Sequence, residues 1–148
     1  MYEFKIKKVP AFENIDFSDE LRQIANDIFI PALKLYIDNE EDITGLRYPP
    51  LSPVTIAIKK RKRSLSLGPL VDTGKLRESF IVESIEGGAK ITINVLRNAV
   101  ARILQVEGVR TRYGPRFFRF FGVSVEMEEQ AIQFMREKIK EYVDRNNK

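Results

Sequence analysis

Two strand-like runs, Phe80 to Glu86 and the alternating Ala89 to Leu96, face each other across Gly87-Gly88. Adjacent glycines between two such runs fit a tight hairpin turn, where the backbone needs positive φ. In the return run Ile91, Ile93 and Val95 share one side and Lys90, Thr92 and Asn94 the other, the pattern of a half-buried strand. A hairpin is antiparallel, and its apolar side must be covered by the rest of the chain.

The cover is legible at both ends. Tyr2 to Lys7 alternates like a further strand, ended by Pro10. Ser18 is placed to cap a helix opening with Asp19 and Glu20. Leu21, Ile24, Ala25, Ile28, Ala32, Leu35 and Tyr36 then hold one face, predicting a single helix to about Ile37, kinked near Pro31. At the other end Ser124 caps a last helix with the stripe Met127, Ala131, Phe134, Met135, Ile139, Tyr142 and Val143; from about Asp144 the chain is polar and expected to fray.

Between them, Ser52-Pro53 starts a short helix, with Val54, Ala57 and Ile58 on one face and the basic run Lys59-Lys60-Arg61-Lys62-Arg63 at its end. Asn98 is placed to cap another, through Ala99, Ile103 and Leu104, stopped by Gly108. Val109 to Gly114 is an arginine-bearing loop, and Pro115 to Phe121 an extended aromatic segment ending at Gly122. The 148 residues suffice for one domain, 1–148, with a core that needs no staples.

Leu70 to Phe80 converts loop into sheet. Asp72 can accept from the N–H of Gly74 or Lys75, and Leu70, Leu76 and Phe80 anchor the segment. Gly74 in a first turn implies close packing or a turn that is not truly helical. On residue chemistry alone this is a capped turn feeding a strand.

The absences narrow the chemistry. With neither Cys nor His, thiolate catalysis, disulfides, a Ser-His-Asp relay and Cys- or His-ligated metal sites are excluded. The acidic cluster Asp38 to Asp42 lacks the ligand spacing of a calcium loop, and no glycine-rich phosphate loop is present. No cofactor or metal is expected. Apolar runs are short and the N-terminus is charged, so neither a membrane span nor a signal segment is expected, and the product is read as intracellular.

Charge is unevenly spread. Glu13 to Asp42 holds nine acids against Arg22 and Lys34, whereas Arg97 to Arg119 holds six arginines against Glu107. Such polarity suits a chain that meets a charged partner or its own copies, and equally two differently solvated faces. Arg110 to Phe121 interleaves arginine with aromatics, which fits a core strand, a protein interface or single-stranded nucleic acid. Lys59, Lys60, Arg61, Lys62 and Arg63 can neutralise phosphates, but no base-reading element accompanies them, so nucleic-acid contact there would be weak and non-specific.

The order of segments resembles a family. Leu51-Ser52-Pro53-Val54-Thr55 opens the lysine-rich helix, followed by Pro69-Leu70-Val71-Asp72-Thr73-Gly74-Lys75-Leu76-Arg77-Glu78-Ser79, then Ala101 to Gly108, then Pro115-Arg116-Phe117-Phe118 before a closing helix. This is similar to the tailed-bacteriophage virion morphogenesis family, the tail completion or head–tail joining proteins. The matching positions are Asp72, Thr73, Gly74, Leu76, Ser79, Gly108, Pro115, Arg116 and Phe118. The resemblance implies an α+β fold, with an antiparallel sheet and central hairpin packed against long N- and C-terminal helices. It further implies a non-enzymatic phage or prophage structural protein that forms an oligomeric ring at the head-proximal end of the tail. Its partners would be its own copies and tail or neck proteins, in the bacterial host cytoplasm during assembly and then in the virion. Arg110 and Arg112 are the candidate interface residues, because a loop between Gly108 and Gly114 can reach a neighbour. The alternative is a small basic nucleic-acid-binding protein using Lys59–Arg63 and Arg110–Arg119.

Overall fold

Strand β3 (Gly88–Ile93) lies between β1 (Glu3–Lys7) and β2 (Phe80–Ile85), antiparallel to both, with Glu3 opposite Thr92 and Phe80 opposite Ile93. The computed structural model describes residues 3–7, 15–64, 70, 74–111 and 114–147. The hairpin expected from Gly87-Gly88 is present, with Gly87 at φ 67°. Being central, β3 buries Ala89, Ile91 and Ile93.

The first long helix is the middle layer of an α+β fold. It packs on the sheet on one side and on the C-terminal helix on the other. It comprises α1 (Ser18–Ile24), a π turn over Ala25–Phe29 and α2 (Ile30–Asn39). In the π turn the Ile30 N–H reaches back five residues to the carbonyl of Ala25. Pro31, which has no N–H to donate, follows at the step where four-residue spacing returns. The expected break near Pro31 is thus a widened turn. Ser18 is already helical and does not cap. The Asp16 carboxylate instead accepts from the Ser18 N–H at 3.0 Å and the Ser18 hydroxyl at 2.6 Å.

Helix α3 (Pro53–Arg61) starts where expected, the Ser52 hydroxyl accepting from the Thr55 N–H at 3.2 Å. Its apolar face does not pack as expected. Val54 is 69% exposed and Ile58 is exposed, while Lys59 is buried. A nine-residue helix with so little segregation of apolar from polar residues has no face that dictates its orientation.

The return strand ends sooner than its alternation predicts. Asn94, still extended, caps helix α4 (Val95–Arg102), its side chain accepting from the Leu96 N–H at 2.9 Å. The cap is therefore Asn94, not Asn98, and Val95 leaves the sheet. A second π turn, Ile103–Glu107, carries the helix to Gly108. The expected arginine loop is a short hairpin, β4 (Val109–Thr111) paired with β5 (Gly114–Arg116). The aromatic segment is extended only through Arg116. Beyond it the chain is irregular, with the Phe120 N–H donating to the Phe118 carbonyl at 3.1 Å.

Helix α5 (Val125–Asn146) is capped by Ser124, whose hydroxyl accepts from the Met127 N–H at 3.2 Å. It runs past Asp144 to Asn146, whose side chain donates to the Tyr142 carbonyl at 2.9 Å in the last turn. Only Met127 of its stripe is fully buried, while Tyr142 and Val143 are exposed.

The core joins these layers through phenylalanines. Phe121 stacks on Phe80 of the sheet and meets Phe4, which in turn meets Phe29 of the first helix. Phe118 and Phe120 are buried beside them, the inward reading of the aromatic run, whereas Phe117 is exposed. Among the described residues no helix is long and apolar enough to cross a membrane.

Candidate assembly surface

Of the family-motif positions, Gly74, Leu76 and Ser79 form one turn. Gly74 has φ 75°, outside the helical range, and the Glu78 N–H donates to its carbonyl at 3.1 Å in one α-type turn that does not continue as a helix. Leu76 is buried in the core. The buried Ser79 hydroxyl donates to the Leu76 carbonyl at 2.6 Å, and the Ser79 carbonyl accepts from the Asn94 N–H at 2.8 Å. The turn is thereby tied to the cap of α4. Asp72 and Thr73, and the capping role expected of Asp72, lie outside the described residues.

Two side chains of the same stretch bind the turn to α2. The Arg77 Nε lies 2.8 Å and 3.0 Å from the two Asp38 oxygens, and Glu78 accepts from Lys34 at 2.8 Å and from Arg77. Lys34 first, then Arg77, hold the Glu78 carboxyl below its usual range. Asp38 is consequently occupied within the chain. Asp42 is as well: its carboxylate accepts from the Thr44 hydroxyl at 2.6 Å, the Thr44 N–H at 2.8 Å and the Leu46 N–H at 3.0 Å. Burial pushes its pKa up, but these bonds outweigh burial and hold it low. Among the described residues no group of three or more acids is placed to hold a metal ion.

Gly108, Pro115, Arg116 and Phe118 converge at the base of the β4–β5 hairpin. A Cβ on Gly108 would stand 2.8 Å from that of Pro115 and 3.2 Å from the Phe117 ring, so only glycine admits this crossing. The Arg116 guanidinium lies 5.0 Å from the Phe118 ring centre and donates to the Pro50 carbonyl at 3.3 Å. Tyr48 packs edge-on against the same ring at 5.0 Å. Burial, and then Asp42, raise the Tyr48 hydroxyl far above its usual pKa. Arg116 is therefore an inward, structural arginine. Arg110 sits in β4 opposite Pro115, and Arg112 is outside the described residues. Of the basic run, Lys60, Arg61, Lys62 and Arg63 are exposed; Lys59, also a candidate nucleic-acid contact, is buried and is removed from that set.

The surface that sequence reasoning missed is the outer face of α4 and its π turn. Val95, Leu96, Ala99, Val100, Ile103 and Val106 are all exposed, Leu96 by 84%, Val95 by 73% and Val106 by 57%. The inner face carries Ala101, Leu104 and Gln105. Gln105 uses its amide to hold the Phe121 backbone, at 2.7 Å to the carbonyl and 3.0 Å from the N–H. The helix and its π turn thus leave five of their six large aliphatic side chains outward, while Gln105 points inward beside Ala101 and Leu104. The signal was available: from Asn94 onward the apolar residues recur at three- and four-residue spacing once the cap is placed there.

No protein-family model, curated protein or solved structure matches the chain.

Proposed function

We propose that this chain is a non-enzymatic structural protein of a tailed phage or prophage, one that oligomerises at the head-proximal end of the tail in tail completion or head–tail joining. The segment order described from Leu51 to Phe118 supplies the resemblance. The observation that carries the reading is the outward apolar face of α4: five large aliphatic side chains in one stripe form the kind of patch a solitary protein avoids and an assembling one needs. The stapled turn at Gly74–Ser79 and the glycine crossing at Gly108 serve as rigid supports on either side of that helix.

In this reading Arg110 and Arg112 contact a neighbour. Deleting the gene from its phage and imaging the particles tests the function. Separate heads and tails, restored to joined virions by the wild-type gene, are expected. Normal virions in the deletion would overturn the assignment. Arg110→Glu with Arg112→Glu should fold normally yet fail to complement.

One observation favours a second reading, a nucleic-acid contact: Lys60, Arg61, Lys62 and Arg63 are consecutive, exposed and basic. Without a base-reading element the contact would be to phosphates alone.

A further inference from the structure

The outer face of α4 calls for an occupant, and the same chain carries a groove that fits it. The first helix and α5 leave two adjoining depressions of about 690 Å³ and 380 Å³ between them, sharing Ile28 and Gln130. Apolar side chains form much of this groove, including Pro31, Leu35 and Ile132, the last two exposed. Its rim is acidic, with Asp27, Glu126, Glu129 and Glu137 against Arg136. Among the described residues Asp27, Glu126 and Glu129 form no ion pair.

The α4 stripe has the opposite setting. Arg97 and Arg102 lie on the helix itself, Arg102 paired with the single acid Glu107 at 2.7 Å, and Arg119, also exposed, follows it in the chain. Two such stripes brought together would place arginines against arginines. A stripe laid in the groove places them against unpaired carboxylates, with aliphatic side chains meeting along the centre. An amphipathic helix seated in an apolar groove is a recurrent mode of recognition. Stripe and groove have no residue in common, so each copy can use both at once.

We infer that the α4 stripe of one copy docks in the groove between the first helix and α5 of a second copy, a head-to-tail contact. The inference rests on the self-assembly in the proposed function and names its two surfaces. A contact between unlike surfaces propagates, closing as a ring or growing as a filament. The acidic partner in the contact is therefore the groove rim. Asp38 and Asp42, from the acidic N-terminal segment, are already engaged within their own chain.

Two variants test this. Leu96→Glu with Ile103→Glu spoils the stripe, and Leu35→Lys with Ile132→Lys spoils the groove; all four positions are exposed, and circular dichroism with thermal melting checks that both variants fold. In sedimentation velocity over a concentration series, the wild type is expected to form dimers and larger species. Each variant alone should remain monomeric. An equimolar mixture should give a one-to-one dimer and nothing larger, because one intact stripe and one intact groove remain. A groove variant that associates like the wild type would overturn the inference in favour of stripe-to-stripe pairing, and a wild type monomeric throughout would overturn it outright. If a variant melts early, Leu96→Ser and Ile132→Ser are read in the same way, with weaker association expected. Normal virions from the stripe variant would sink this contact but leave the phage assignment standing. Head-to-tail association by a protein whose deletion leaves virions intact would do the reverse.

Discussion

Gln105 and Phe121 are joined as two strands would be, the side-chain amide of one bonded to both backbone polar groups of the other. The irregular aromatic segment has no strand partner there, and the glutamine supplies one. Gln105→Leu leaves a part-buried N–H and carbonyl unsatisfied and should destabilise the fold by about 2 kcal/mol. Gln105→Glu keeps the acceptor, loses the donor and sets a carboxylate oxygen against the Phe121 carbonyl. Chemical denaturation of both variants checks this; an unchanged midpoint in Gln105→Leu would show that the pairing contributes nothing.

Gly108 is expected to be the least replaceable glycine. Gly108→Ala must adopt φ 75° and push its Cβ toward Pro115, which together should cost about 3 kcal/mol. Gly45 provides the control, since it has φ 81° but open space around it. Gly45→Ala should cost about 1 kcal/mol from backbone strain alone. Equal losses at the two sites would mean that the Pro115 contact is soft.

Asp42 links stability to pH. Its folded-state pKa is depressed, so its contribution is complete above the unfolded value of about 3.9 and is lost as pH falls through the lower folded value. Asp42→Ala should therefore be less stable than wild type by about 1 to 2 kcal/mol near neutrality. The gap should narrow in acid, where the wild-type carboxyl is itself protonated. Urea denaturation at pH 7 and below pH 3 tests this, and a pH-independent gap would refute it.

The run Lys60–Arg63 should bind duplex and single-stranded oligonucleotides weakly, without sequence preference, and less at higher salt. Fluorescence anisotropy at two ionic strengths measures it. Replacing the four residues with Gln should abolish the signal while leaving self-association unchanged. Tight, sequence-selective binding would promote the nucleic-acid reading.

Elements with a local chemical start were legible in the sequence: Ser52-Pro53 and Ser124 cap their helices, and Gly87-Gly88 turns the hairpin. What escaped depended on context. The alternation Ile91, Ile93, Val95 runs unbroken across the end of β3, because an extended N-cap residue continues strand geometry before the helix begins. Nothing in Val54 or Ile58 reveals that they face solvent. A five-residue turn has no residue signature of its own, so Ala25–Phe29 and Ile103–Glu107 read as ordinary helix. The motif turn was legible as a turn, but its ties to Asp38 and Lys34 join residues some forty positions apart, beyond any local pattern.

The wide turn before Pro31 sets a limit on which residues this helix can lose. A π turn is an α-helix with one residue too many. Removing Asn26 would restore ordinary spacing, but the proline ring would then press on the carbonyl four residues before it. The dependence runs one way: Pro31 needs the surplus residue, whereas Pro31→Ala leaves the wide turn free of strain. A deletion at Asn26 should therefore be better tolerated beside Pro31→Ala than with the proline in place.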